Sequence, residues 1–474
     1  MGEIYNLIGL LSSFKAFWDE YKRYKIGILG IFLLIILIII SISAVILIPI
    51  DTFKQWHNPA YWTRYPKAAL PSWINYFTNT KLPEHLILKE PLVMKSESGV
   101  IQIFNHIYTI QFNYDTFPDD FIFNYLIKYK GSPPLFELSI IRPDGDRLLL
   151  IITTLPPKPF NLEAYTFNGS IYSTDRVIRS NVAHYLSERI GESISIMDIA
   201  PQFVIFSEKP FKLDSKVLKG TYTFNATFYT FDKDDQLLTS ELIIGGKVFG
   251  ILGTDELRRD LLIGILWGTP VALFIGLSVA TLAVFVGIVY GIVSGYYGKR
   301  LDEIMMRIND IIYSLPALPF LIILAISFGR NILLVVLYLT VFGWVGIAKV
   351  ARSMALQIKT LAYIEAIELI GASKWRVMLK HIMPQITPYA LASIALSVPS
   401  AILAEAGLSF LGLGDPTLPT WGQILHDAQL YGAAARGLWW WIIPPGVMIA
   451  ITGLTFVFIG IAMDTVLNPR MRKI

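Results

Sequence analysis

Ile26 to Ile48 is a run of 23 residues without one charged side chain. A bilayer core takes about 20 helical residues to cross, and a lone segment crosses it only as a helix, which satisfies its own backbone hydrogen bonds. The run is too long for the apolar part of a secretory signal. Pro49 and Asp51 follow it with no small-residue cleavage site, so it reads as a retained anchor. Lys15, Lys22, Arg23 and Lys25 precede it and put residues 1–25 in the cytoplasm by the positive-inside rule. The chain then emerges outside near Pro49.

From Leu261 onward the chain is apolar again. It is 54% hydrophobic and 16% charged overall, against about 25% charged in soluble domains. Leu261 to Gly298 is uncharged. That is too long for one straight span and too short for two, so an interfacial entry segment and then a helix to Tyr290 are expected. Further spans are expected at 311–329, between Arg330 and Lys349, between His381 and Glu405, and between Arg436 and Asp464. Pro316, Pro319, Pro388 and Pro399 fall inside them, as tolerated kinks or as hinges. With the 26–49 helix this makes six spans and returns the 471–474 tail to the cytoplasm. The basic residues agree. Lys299, Arg300 and Arg307 follow span two, and Lys349, Arg352, Lys359, Lys374, Arg376 and Lys380 follow span four. Arg470, Arg472 and Lys473 close the chain. Trp439, Trp440 and Trp441 suit an outer-interface aromatic belt.

Residues 50–250 have another texture. Alternating segments appear at Gly99–Tyr114, at Phe136–Thr154 around Pro143-Asp144-Gly145, and at Gly220–Ile244 around Asp232–Asp235. The last two read as hairpins, and Ser173–Ile190 as a helix. A mainly β extracellular domain, a sandwich, is expected. The sequons Asn168-Gly169-Ser170 and Asn225-Ala226-Thr227 fall in it as possible glycosylation sites. Trp56, Trp62 and Trp73 read as core or interfacial residues, or as sugar-stacking platforms.

Several chemistries are excluded. There is no cysteine, hence no disulfide or thiolate site. No G-x-x-x-x-G-K-[ST] phosphate loop and no H-E-x-x-H occurs. The histidines are scattered at 57, 85, 106, 184, 381 and 426, so no metal site is expected. No catalytic constellation can be assembled, and nothing points to nucleic acid as a partner. The chain has no visible energy source of its own.

One segment is out of place among the spans. Thr360–Pro388 (TLAYIEAIELIGASKWRVMLKHIMPQITP) is charged and reads as two short helices broken at Gly371, the second ending at Pro384. Gly371 permits a sharp reversal, and Ser373 is a candidate N-cap for the second helix. Two readings stand on pattern alone: a docking lug for another protein, or a solvated helix pair touching lipid headgroups.

This segment resembles the coupling loop of ABC importer permeases. That pattern is E-A-A, a glycine, then I-x-P, here Glu365-Ala366-Ile367, Gly371, and Ile382-Met383-Pro384. Ile367 replaces the usual second alanine, which alters the expected docking surface. Gly253-Thr254-Asp255-Glu256-Leu257-Arg258-Arg259-Asp260 resembles the G-T-D-E-L-G-R-D of the oligopeptide/dipeptide class, with Arg258 for Gly. Ala404-Glu405-Ala406-Gly407-Leu408-Ser409-Phe410-Leu411-Gly412-Leu413-Gly414 resembles its A-E-A-S-L-S-F-L-G-L-G. Pro419-Thr420-Trp421-Gly422 and Asn468-Pro469-Arg470 complete the series.

The resemblance implies an all-α polytopic membrane domain of six transmembrane helices, the type I ABC importer permease fold. The mainly β extracellular domain is inserted between helices 1 and 2. The permease core is 251–470, with its cytoplasmic coupling loop at 349–388. It implies a heterodimer with a second permease subunit, two cytoplasmic ATPases that bind ATP and Mg, and an extracellular substrate-binding protein. This chain itself carries no cofactor. Glu365, Ala366, Ile367, Glu368, Gly371, Ala372, Ser373, Ile382 and Pro384 would form the coupling loop, with Glu365 and Glu368 pairing with the ATPase. Gly253, Thr254, Asp255, Asp260, Glu405, Ser409 and Trp421 would sit at the outer mouth. Glu405 reads as ordering the turn Gly407–Gly414 or as a pathway acid, and Asp255 as a helix N-cap. The expected cargo is oligopeptides or dipeptides; similar archaeal permeases import oligosaccharides such as cellobiose. A membrane-anchored surface-domain protein is the rival reading. A secondary transporter is disfavoured, because the spans are nearly free of charge.

Overall fold

The computed structural model describes residues 17–99, 101–159, 161–191, 194–210 and 215–467. Lys15, Asn468-Pro469-Arg470, Arg472, Lys473 and the rest of the tail lie outside the described residues. The chain divides into two compact units. One is Asn58–Leu261, and the other runs to His57 and resumes at Leu262.

The first unit is a β-sandwich. Strands β1 (Leu86–Leu88), β9 (Gln236–Gly245), β4 (Asp120–Tyr129) and β7 (Tyr165–Tyr172) form one sheet in that order. Strands β2 (Leu92–Ser98), β3 (Ile101–Phe112), β8 (Gly220–Thr230), β5 (Leu135–Ile141) and β6 (Arg147–Thr154) form the other. Every pairing is antiparallel. Alternation explains the layers: Tyr222, Phe224, Ala226 and Phe228 of β8 all face one core with Phe121, Phe123 and Tyr125 of β4. Phe136 stacks on Phe123 with centroids 5.5 Å apart and lies 4.6 Å from Phe228.

The Pro143-Asp144-Gly145 hairpin joins β5 and β6, with Gly145 at φ +87°. The expected second hairpin does not form. Both edges of β8 are taken by β3 and β5, and β9 pairs with β1 and β4. The Asp232–Asp235 turn therefore carries the chain from one sheet to the other. The helix Arg176–Ile190 lies against β6, and Asn181 donates to the Leu150 carbonyl at 3.0 Å.

The second unit is helical. Helices α1 (Lys25–Leu47), α2 (Leu261–Tyr297), α8 (Lys374–Phe410) and α10 (Trp439–Leu467) are each long and apolar enough to cross a membrane. Between them lie α3 (Lys299–Ser314), α4 (Ala317–Phe328), α5 (Ile332–Gly343), α6 (Val345–Lys359), α7 (Ala362–Leu369) and α9 (Trp421–Leu430). Among the described residues four helices qualify alone, and six spans result only if each bent pair, α3–α4 and α5–α6, counts as one. Glycines set the closest approach: a Cβ on Gly27 of α1 would lie 2.5 Å from the Ala462 Cβ of α10.

Several expected boundaries move. Leu261–Tyr297 is one 37-residue helix, about 55 Å long, with no separate entry segment; Pro270 is absorbed within it. The 311–329 span is broken by an 86° bend between α3 and α4. Pro316 forces Leu315 out of helical geometry, to φ −70° and ψ 135°. Pro384 does not end a second short helix. A π-turn over Met378–Ile382 precedes it and makes room for a ring that would otherwise meet the carbonyl four residues back. Trp440 and Trp441 are buried, so they are packing residues and not an interfacial belt. Trp56 and Trp62 are likewise buried and cannot stack on a sugar.

Candidate coupling site

Helix α6 leads through Thr360 and Leu361 into α7, which carries Glu365, Ala366, Ile367 and Glu368. The end of α7 is a Schellman motif. Gly371 N–H bonds to the Glu368 carbonyl at 3.0 Å and Ala372 N–H to that of Ile367 at 3.3 Å. Gly371 sits at φ +87°, where a side chain is strained, yet nothing lies within 4 Å of where its Cβ would be. Ser373 occupies the N-cap position of the next helix, but its side chain makes no capping bond.

The two arms fold back onto the helical unit along one face. Ile364, Val377, Met378 and Ile382 are buried with Ile358 of α6 and Ile292 of α2. The turn between the arms is exposed and carries large apolar side chains: Leu369 is 87% exposed and Ile370 84%, and Trp375 and Leu379 are exposed on the second arm among Lys374, Arg376 and Lys380. Glu365 and Ala366 also face outward, while Pro384 is exposed on α8.

Two residues of this loop make contacts within the chain that the motif does not announce. Glu368 accepts a hydrogen bond from the Tyr296 hydroxyl of α2 at 2.6 Å through one carboxylate oxygen, and Glu365 and Glu368 are both exposed. Ile367 is half-buried and packs against this core. Lys359 donates to the Tyr296 carbonyl at 2.6 Å, and Lys374 lies 5.1 Å from the centre of the Tyr297 ring.

A second constellation gathers at the far end of α8. Glu405 is buried and accepts from the Ser409 hydroxyl at 2.6 Å. Thr420 caps α9 by accepting from Gln423 N–H at 3.2 Å, and Trp421 Nε1 donates to the Ile265 carbonyl at 3.1 Å. A Cβ on Gly414 would fall 1.9 Å from the Ser409 hydroxyl, and one on Gly422 2.7 Å from the Ala406 backbone. The Glu405 carboxylate thus faces a packed turn.

Gly253–Asp260 belongs to the sandwich unit. Thr254 donates to the Pro66 carbonyl at 2.7 Å and accepts from Ala69 N–H at 2.9 Å. Asp255 is not a helix N-cap. It accepts from Arg259 N–H at 2.8 Å and pairs with the buried Arg259 side chain at 2.6 Å. Asp260 bridges back to Thr254, and Gly253 takes φ +73°. Arg258 sits at φ +66°, which explains why glycine suits that position. Asn168 is exposed on the edge strand β7, whereas Asn225 lies mid-strand in β8, between β3 and β5. Among the described residues no three His, Asp or Glu side chains converge on a metal-sized site.

Between α2, α4, α5, α6 and α8 lies an open cavity of about 620 Å³. Its walls are mostly apolar, but Tyr389, Ser393, Ser397 and Ser400 of α8 place hydroxyls along it at helical spacing.

Residues 287–473 match the family of binding-protein-dependent transport system inner membrane components. The dipeptide transport permease DppC of Bacillus subtilis is 36% identical over 222 residues, 47% of this chain and 69% of the relative. The oligopeptide transport permease OppC of the same organism is 36% identical over 223 residues, 47% and 72%. OppC of Haemophilus influenzae is 34% identical over 243 residues, 51% and 76%. The chain belongs to this permease family. It is a multi-pass membrane component and not an enzyme. The matched region holds the candidate coupling loop and the Glu405–Trp421 cluster. The sandwich lies outside it. Three features of the permease escape motif reading: the Tyr296–Glu368 bond, the Arg258 side-chain contacts and the polar ties of α3 to α6. Only Gly287, Gly291 and Gly295, spaced four apart, signal in the sequence that α2 meets a neighbour closely.

Proposed function

We propose that this chain is one of two permease subunits of an ATP-driven peptide importer. Two cytoplasmic ATPases drive it, binding ATP and Mg, and an external binding protein delivers the cargo. The observation that carries this reading is the exposed apolar tip, Leu369 and Ile370 with Trp375, held out by the Gly371 reversal on a buried inner face. An apolar surface of this kind at the end of a charged loop is suited to another protein's groove. In this reading each bent pair is one span, and the tip, both termini and the basic loops lie inside the cell with residues 50–250 outside, which the positive-inside rule supports. The cavity lined by the α8 hydroxyls is then this subunit's share of the path. Its hydroxyls can bond to peptide groups of any sequence, and its apolar wall tolerates varied side chains. Peptides are favoured over oligosaccharides because the named transport systems of the relatives are peptide systems.

The test is ATP-dependent uptake of short peptides into proteoliposomes holding the assembled complex, with the binding protein and ATP on opposite faces. Uptake that needs both supports the reading. A complex that never assembles with ATPases, while the sandwich stays surface-exposed, favours an anchored surface-domain protein.

A further inference from the structure

We propose that Asp302 and Arg352 are positioning residues for energy coupling. Their bidentate pair clamps α3 to α6, so that α2, α3 and α6 move as one body when the coupling loop is displaced. The proposal rests on the coupling reading above and adds the route by which force leaves the loop.

The clamp has three parts. Arg352 Nε and Nη2 donate to the two oxygens of Asp302, both at 2.5 Å. Ser294 of α2 donates to the same carboxylate at 2.5 Å, so one acid joins three helices. Two turns along α3, the fully buried Asn309 donates to the Val345 carbonyl at 3.0 Å, and neighbouring Asp310 pairs with Lys349 at 2.7 Å. Asp302 and Asn309 are seven residues apart, as are Arg352 and Val345. The two ties therefore lie about 10 Å apart on antiparallel helices, which fixes both slide and rotation. Tyr290 of α2 also donates to the Met305 carbonyl of α3 at 2.6 Å.

The contact of α2 with α6 is equally tight. A Cβ on Gly287, Gly291 or Gly295 would fall 2.8, 2.4 or 2.7 Å from the carbonyl oxygens of Trp344, Ala348 and Arg352. The backbones meet with no side chain between them, leaving little compliance. On its other side α3 exposes Ile304, Ile308 and Ile311, so the polar ties fix its position relative to α6. Helix α6 runs directly into the coupling loop, and the Tyr296–Glu368 bond ties α2 to that loop as well. A push on α7 reaches α2 and α3 only as stiffly as this clamp holds. A salt bridge serves better here than an apolar contact, because losing one partner strands a half-buried charge and lets the helices separate.

The chain has no cysteine, so introduced ones are unique on it. Spin labels on Glu303→Cys of α3 and Gln357→Cys of α6, both exposed, report their separation in the complete complex with cysteine-free partner subunits. It is measured nucleotide-free and again after trapping with ATP and vanadate. The expected result is one separation in both states for otherwise native protein. With Arg352→Gln the separation shifts or broadens on trapping, and Arg352→Lys, which keeps the charge without the fork, falls between. A merely structural role would lower the yield of complex without a trap-dependent shift. The proposal is overturned if the native separation changes on trapping, or if Arg352→Gln keeps one separation in both states. Gly371→Trp in the same complex separates the two readings. If it retains full stimulated ATP hydrolysis and uptake, the coupling assignment fails. If it uncouples while Arg352→Gln stays rigid, only the clamp fails.

Discussion

Arg258 donates to Asp120 at 2.6 Å while its own backbone sits at φ +66°. Its guanidinium also reaches the Tyr65 carbonyl at 2.7 Å. A left-handed arginine costs roughly 1 kcal/mol relative to glycine, and hydrogen bonds from a charged group contribute about 1.5–3 kcal/mol. The side chain outweighs the backbone, which is how this position tolerates a residue other than glycine. Arg258→Gly loses the contacts and the strain together, whereas Arg258→Ala loses the contacts and keeps the strain. Alanine is therefore expected to be the worse substitution by about 1 kcal/mol, read from thermal unfolding of the purified protein.

The sandwich should weaken in acid. His106 is buried and bonded to the Ser240 hydroxyl at 2.6 Å, and burial lowers its pKa; burial also lowers that of His85. A lowered histidine pKa gives stability that is present above the unfolded value, about 6.5, and is lost as pH falls through the folded value. A tenfold weaker proton affinity in the folded protein corresponds to about 1.4 kcal/mol. Hydrogen exchange over β3 and β9 should accelerate between pH 7.5 and 5 beyond the intrinsic pH effect. His106→Gln should flatten that dependence.

The α8–α9 corner should resist enlargement. Gly422→Ala places a Cβ 2.7 Å from the Ala406 backbone, which cannot move as a side chain can. A loss of about 1–3 kcal/mol is expected. Ser409→Ala removes the donor from buried Glu405, at a cost of about 1–3 kcal/mol. Thermal stability of the detergent-solubilised protein measures both. Little change in either would mean that the corner is looser than its packing shows.

Gly371 separates backbone strain from partner contact. Gly371→Ala costs about 1 kcal/mol from its positive φ. Within the chain, Gly371→Trp meets no further obstacle, because nothing lies within 4 Å of the Cβ position. Both variants should reach the membrane with similar stability. Any greater loss of coupled uptake with tryptophan then measures a groove outside this chain. Equal uptake in the two variants would show that no partner surface closes on this turn.

Local chemistry explains what the sequence disclosed. The 26–48 anchor, the Gly371 break and the Pro143-Asp144-Gly145 hairpin each follow from residues within one short segment. Long-range partners were hidden. Nothing near Asp232–Asp235 tells that β8 and β9 enter different sheets, because the choice depends on β3 and β5 filling both edges of β8. Nothing around Glu368 tells that α2 brings the Tyr296 hydroxyl to it from 72 positions away. Prolines misled in both directions. Pro316 breaks a span that hydropathy reads as continuous, and Pro384 sits inside a helix that it was expected to end.

The central claim is that the tip of the loop seats in an ATPase. A photo-crosslinking residue at Ile370, 84% exposed, tests it most directly in the assembled complex. The account predicts a product between this chain and an ATPase subunit, with none from the same probe at buried Ile364. A product with an external binding protein, or modification of Ile370→Cys by a membrane-impermeant thiol reagent added outside intact cells, would contradict it.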